Sequence, residues 1–150
     1  MVEAESKCVF CGIAAGQLPA YRIDENELSF AILDIHPISK GHCLVIPKRH
    51  VPTWQEMTPE ETASAFNLAR VVANRLTGLL EPEFVLTFIR GRRVPHTHIF
   101  LLPSYPGDLL DAFFTLLEKV SQSAPDLAAF RQAASMEEMA EALREGKWRA

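Results

Sequence analysis

An α+β fold is what this sequence predicts: an antiparallel sheet of about five strands, one long helix and a helical C-terminal extension. Three observations predict it. Short apolar runs bounded by turn residues follow one another over residues 21–47 and return over 84–103. Between them lies a single long helical pattern, opened by Thr58-Pro59-Glu60-Glu61. The links between consecutive runs are too short for crossovers, which makes the joined strands antiparallel neighbours.

In chain order, Met1 to Lys7 reads as a loose tail, and Cys8 to Gly16 as a knuckle entering one short helix that Gly16 and Pro19 stop. Tyr21 to Asp24 is a short strand. Leu28 to Leu33 is a second, after the turn Asp24-Glu25-Asn26, and Asp34-Ile35-His36-Pro37 closes it. Ser39-Lys40-Gly41 makes the next turn, and His42 to Pro47 is a third strand, ended by a proline that cannot donate to a ladder. Thr58 caps the long helix and Glu61 completes a capping box; Phe66, Ala69, Ala73, Leu76 and Leu80 then mark a stripe for core or dimer contact, in a helix running to about Gly78. Phe84 to Ile89 is the fourth strand, and the basic turn Arg90-Gly91-Arg92-Arg93 leads into a fifth around His96 to Pro103. Beyond Pro103, Leu109, Leu110, Phe113, Leu116, Leu117 and Val120 recur at helical spacing. Pro125 starts another helical segment, and Ser135-Met136-Glu137-Glu138 is a second capping box. With no repeat or linker in the chain, residues 1–150 are expected to form one domain, with its core in 8–103 and the extension 104–150 packed on it.

Composition narrows the function. A chain of 150 residues buries roughly two thirds of its unfolded surface without help, so a metal would fix local geometry rather than be the sole reason for folding. A formal charge of -4 supplies no basic footprint, and no nucleic-acid partner is indicated. No apolar run approaches the ~20 residues of a membrane span, and Met1-Val2-Glu3-Ala4-Glu5 is acidic where a signal peptide is basic; the expected location is the cytoplasm.

Two patterns carry chemistry. In a strand, His96, His98 and Phe100 share one face, which places two imidazoles side by side; imidazole serves as nucleophile, base or metal ligand near neutral pH. Cys8-x-x-Cys11 is half of a zinc site, or a redox pair, or neither. Without a surrounding βαβ pattern redox is the weaker alternative, and zinc requires two further ligands, for which His36, His42, His50 and His96 are candidates besides His98. Arg90, Arg92 and Arg93 are either a solvated loop or an anion-facing cluster.

Taken in order, Cys8-Val9-Phe10-Cys11, Leu33-Asp34-Ile35-x-Pro37, Gly41-His42-x-Leu44-Val45-Ile46-Pro47-Lys48-x-His50 and His96-x-His98-x-Phe100-Leu101-Leu102-Pro103 strongly resemble the histidine triad superfamily over residues 8–103. The resemblance implies binding of a purine nucleotide or nucleotide conjugate, with His98 as the nucleophile that forms a nucleotidyl-histidine and His42 behind it. It implies Asp34 on the ribose hydroxyls, Phe10, Ile13, Ile32 and Ile35 around the base, and a structural zinc held by Cys8, Cys11, His50 and His96. A homodimer using the long helix and the strand Phe84 to Ile89 is implied as well.

Two departures stand out against the family pattern. Phe100 occupies the place of the third histidine, which in similar proteins donates to the phosphate or leaving group; loss of such a donor commonly costs ~10²–10³ in rate. The Gln-containing phosphate loop of similar proteins is missing, and Arg90 and Arg92 are the candidates to clamp the phosphate instead. Two functions follow. One is a hydrolase or nucleotidyl transferase acting at the α-phosphate of a nucleoside phosphoramidate or dinucleoside polyphosphate; the other is a catalytically impaired, zinc-containing nucleotide-binding or interaction protein. In the extension, Trp148 is a candidate for substrate contact.

Overall fold

The computed structural model describes residues 8–89, 91 and 93–146. Five strands, β1 (Arg22–Glu25), β2 (Ser29–Leu33), β3 (Cys43–Pro47), β4 (Phe84–Ile89) and β5 (Ile99–Ser104), form one sheet in the order β1-β2-β3-β5-β4. Every neighbouring pair is antiparallel. Two helices belong with the sheet: α1 (Val9–Ala14) and α2 (Pro59–Leu80).

Side-chain alternation sorts the sheet residues into two cores. Ala31, Cys43, Val45, Ile99 and Leu101 pack with α2, whereas Phe30, Ile32, Leu44 and Ile46 pack with Phe10 and Ile13 of α1. A sheet covered on both faces needs apolar residues at every position of its central strand, which is why Cys43-Leu44-Val45-Ile46-Pro47 is buried throughout.

The predicted start of α2 is observed in full: the Thr58 hydroxyl accepts from the Glu61 amide while the Glu61 carboxylate accepts from the Thr58 amide. Its stripe is shifted. Ala65, Leu68, Ala69, Val72 and Leu76 face the sheet, and Phe66 is 43 % exposed, because a helix turns 100° per residue and the true centre of the face lies one position earlier. Nor does α2 stop near Gly78. It runs through Leu80, and Glu81, in the left-handed conformation ahead of Pro82, ends it.

Gly41 is required where it stands. Its φ is +86°, and a Cβ there would lie 2.6 Å from the Leu80 side chain, so the loop leading to His42 closes tightly on the end of α2 only with glycine.

The chain divides into two compact units, between Leu109 and Leu110. The second contains most of α3 (Leu109–Ser123), then α4 (Pro125–Phe130) and α5 (Ala133–Glu145). Of the predicted stripe on α3, Leu110 is buried while Phe113, Leu116, Leu117 and Val120 are exposed. The capping box at Ser135 is not formed: α5 begins two residues earlier, so Ser135 already lies in its first turn. Among the described residues no helix is long and apolar enough to cross a membrane.

Candidate functional site

Four ligand-type side chains converge from three separated stretches. Cys8 and Cys11 come from the start of α1, His50 from the loop after β3, and His96 from the approach to β5; their ligand atoms all lie within 4.8 Å of one another. Cys8 Sγ is 3.3 Å from His96 Nδ1, and Cys11 Sγ is 3.3 Å from His50 Nδ1 and 3.6 Å from His96 Nδ1. All three cysteines are free thiols. The other nitrogen of His96, Nε2, is 2.9 Å from the carbonyl of Pro47. A carbonyl can only accept, so Nε2 carries the proton and Nδ1 turns its lone pair to the sulfurs. Burial pushes the His96 imidazolium down to about 4, which leaves a neutral ring. Two thiols and two imidazoles at this separation fit a closed tetrahedral metal site.

Cys43 stands apart from this cluster. It is buried in the core against α2, donates to the Gly41 carbonyl at 2.9 Å, and burial pushes its thiol up to about 11.

His98 lies two residues beyond His96 and uses its ring nitrogens the other way round. Its Nδ1 is 2.6 Å from the His96 carbonyl, so Nδ1 donates and Nε2 keeps a free lone pair. The ring lies between Phe10 (centroids 5.1 Å apart) and Phe100 (4.9 Å). Phe100 in turn stacks on Phe88 at 4.5 Å and on His42 at 5.5 Å. The predicted common face of His96, His98 and Phe100 is therefore observed, although β5 begins only at Ile99. Burial lowers the pKa of His98; the His96 carbonyl and Asp34 oppose this.

Behind this group His42 is buried, with the Ile38 amide donating to its Nδ1 at 3.4 Å. Its Nε2, 3.6 Å from Asp34 Oδ2, has no hydrogen-bond partner among the described residues. Asp34 Oδ1 accepts from the His36 amide at 2.7 Å, which tethers the carboxylate to its own turn. Desolvation lowers the His42 pKa, and Asp34 partly opposes it.

Other sequence candidates scatter. Phe10, Ile13 and Ile32 are buried in the cluster against α1, whereas Ile35 is 71 % exposed on the loop after β2 and outside that cluster. Arg90, Arg92 and Trp148 lie outside the described residues, and Arg93 is exposed. One feature escaped the sequence reading: a cavity of about 510 Å³ beside Asp34 and His42, also lined by Ile38, Ser39 and Lys40. The Ser39 hydroxyl there is buried with no partner among the described residues. Only the tight turn Ser39-Lys40-Gly41 signalled it, and turns rarely announce a cavity.

A five-stranded antiparallel sheet carrying a Cys2His2 cluster next to a buried histidine defines the class: an α+β domain of the histidine triad kind. Residues 15–107 match the HIT domain, and the chain belongs to that family. It is 31 % identical to Adenylylsulfatase HINT3 of Arabidopsis thaliana over 111 residues, 71 % of this chain and 56 % of that protein. It is 36 % identical to Adenosine 5'-monophosphoramidase hnt1 of Schizosaccharomyces pombe over 101 residues, covering 64 % of this chain and 73 % of the relative. The crystal structure of a Zn-bound histidine triad family protein from Mycobacterium smegmatis superposes with a TM-score of 0.64 at 31 % identity, over 77 % of this chain and 99 % of the other.

Proposed function

We propose that this chain is a hydrolase or nucleotidyl transferase acting at the α-phosphate of a nucleotide conjugate, a nucleoside phosphoramidate or dinucleoside polyphosphate, with His98 as nucleophile. The observation that carries this reading is the 2.6 Å contact from His98 Nδ1 to the His96 carbonyl, which leaves Nε2 unprotonated. Nε2 attacks the α-phosphorus; a P–N bond forms as the bond to the leaving group breaks. Water then attacks the nucleotidyl-histidine, its proton passes to solvent, and the P–N electron pair returns to Nε2. Asp34 accepts from the ribose hydroxyls, His42 supports the nucleophile from behind, Phe10, Ile13, Ile32 and Ile35 border the base, and Arg90 and Arg92 neutralise the phosphate. The relatives named for adenylylsulfatase and phosphoramidase activity support the reaction class.

Zinc is the metal that Cys8, Cys11, His50 and His96 would hold, and the Zn-bound relative supports it. Bound there it would tie α1 to the approach of β5, so that His98 keeps its place.

A second reading rests on Phe100: a zinc-containing nucleotide-binding protein without efficient turnover, since the benzene ring beside His98 can donate neither a hydrogen bond nor a proton. Incubation with adenosine phosphoramidate and Ap4A, with His98→Ala as control, separates the two. Release of AMP that His98→Ala abolishes supports the hydrolase; AMP binding without any product supports the second.

The chain is further proposed to act in the cytoplasm as a homodimer. β4 is an edge strand that exposes Phe84 and Phe88, and α2 exposes Phe66. Sedimentation should give twice the 16.8 kDa chain mass; a monomer at that mass overturns the dimer.

A further inference from the structure

The wall beside His98 consists of hydrocarbon. Phe100 lies 4.9 Å from the His98 ring and stacks on Phe88 at 4.5 Å, two benzene rings deep on that side, while Phe10 covers another side at 5.1 Å. The imidazole of His42, stacked on Phe100 at 5.5 Å, accepts at Nδ1 from the Ile38 amide and turns its Nε2 proton to Asp34, 3.6 Å away. His98 itself has committed its proton to the His96 carbonyl. Among the described residues, the rings against His98 therefore carry no group able to hand a proton to a departing atom. An arginine does not supply one, because guanidinium donates hydrogen bonds without giving up its proton near neutral pH.

From this we infer that the site selects for leaving groups that depart as stable anions, the conjugate bases of strong or moderately strong acids, and that Phe100 determines this specificity. The inference rests on the nucleophilic reading of His98 and narrows its substrate class from nucleotide conjugates in general to mixed anhydrides of a nucleoside monophosphate. In the displacement, the Nε2 lone pair forms the P–N bond and the P–O bond to the leaving group breaks. The oxygen keeps the electron pair, and an anion such as sulfate, carboxylate or a polyphosphate needs no proton to leave. A phosphoramidate differs at this step. Its nitrogen has to gain a proton before or as the P–N bond to the leaving group breaks, and that proton must come from solvent. General acid assistance is commonly worth ~10²–10⁴ in rate, which sets the size of the discrimination.

The test compares the zinc-loaded full chain on the mixed anhydride of AMP with sulfate, on adenosine phosphoramidate, and on a series of aryl esters of AMP whose phenols span a range of acidity. The expected result is a kcat/KM for the anhydride at least ~10³-fold above that for the phosphoramidate, and aryl-ester rates that fall steeply as the phenol becomes less acidic. Phe100→His should raise the phosphoramidate rate ~10²-fold or more, the anhydride rate by less than ~10-fold, and flatten the aryl series. Equal wild-type rates on anhydride and phosphoramidate, with His98→Ala inactive on both, overturn the inference and leave the nucleophile standing. So does a flat wild-type aryl series, a measurement that does not depend on the variant folding. Turnover of nothing, or turnover that survives His98→Ala, removes the nucleophilic reading and the inference together.

Discussion

His96 and His98 are the same residue type, two positions apart, both buried, yet they present opposite ring nitrogens. His96 gives its Nε2 proton to Pro47 and aims Nδ1 at Cys8 and Cys11; His98 gives its Nδ1 proton to the His96 carbonyl and keeps Nε2 free. The difference lies in which backbone carbonyl each ring meets. A carbonyl accepts and never donates, so its position selects the tautomer, and the tautomer fixes which nitrogen offers its lone pair: Nδ1, toward the sulfurs, in His96 and Nε2 in His98.

Replacing each histidine in turn is the sharpest way to break this pairing. If His98 is the nucleophile as proposed, His98→Ala should lower kcat/KM by at least ~10⁴ while zinc content stays near one per chain, because the four proposed ligands remain. Comparable activity in His98→Ala would merge the two roles. His96→Ala should do the reverse first: metal analysis should show zinc lost, with stability reduced by about 3 kcal/mol or more in thermal or urea unfolding. Cys8→Ser should reproduce that loss without touching either imidazole, and wild-type protein that is metal-free yet equally stable would remove the cluster from the account.

A smaller effect is expected away from both rings. Glu61 is nearly buried, receives two hydrogen bonds from Arg49 at 2.6 and 2.7 Å, and closes the capping box of α2, while Arg49 adjoins His50 in sequence. The Arg49 guanidinium holds the Glu61 carboxyl below its ordinary value of 4.5. A depressed folded pKa contributes stability that is present above the unfolded pKa and is lost as pH falls through the folded one. Glu61→Gln should therefore cost about 1–2 kcal/mol at pH 7, discounted for the half-exposed arginine, and the cost should shrink as pH drops below about 4.5. Turnover at pH 7 should be unaffected; a fall in activity equal to that of His98→Ala would show that this pair positions the site.

Much of the fold was legible because its signals are local. The capping box at Thr58, the turn at Ser39-Lys40-Gly41 and the apolar run of β3 each depend on neighbours in sequence, and each formed as read. The misreadings were also local signals, outweighed by context. Ser135 could cap a helix, but Ala133 and Ala134 already carry α5 past it. Phe66, read with its stripe as core or dimer contact, is not core: the helix phase that best covers the sheet sets Ala65 and Leu68 inward.

Cys8-x-x-Cys11 was ambiguous alone for a different reason. Its two companions arrive from 39 and 85 residues further along the chain, a proximity that only chain folding produces.

By itself the sequence determined most of the elements and the antiparallel pairing of strands joined by short links, since these follow from short-range periodicity and turn chemistry; the site residues were implied only by resemblance to a family. Tertiary structure decided which nitrogen each imidazole presents. The carbonyls of Pro47 and His96 orient the two imidazoles, and the stack of Phe88 on Phe100 sets the surface beside the His98 ring. Hydrogen-bond direction and ring contact depend on atoms brought together from distant strands, and no spacing along the chain encodes them.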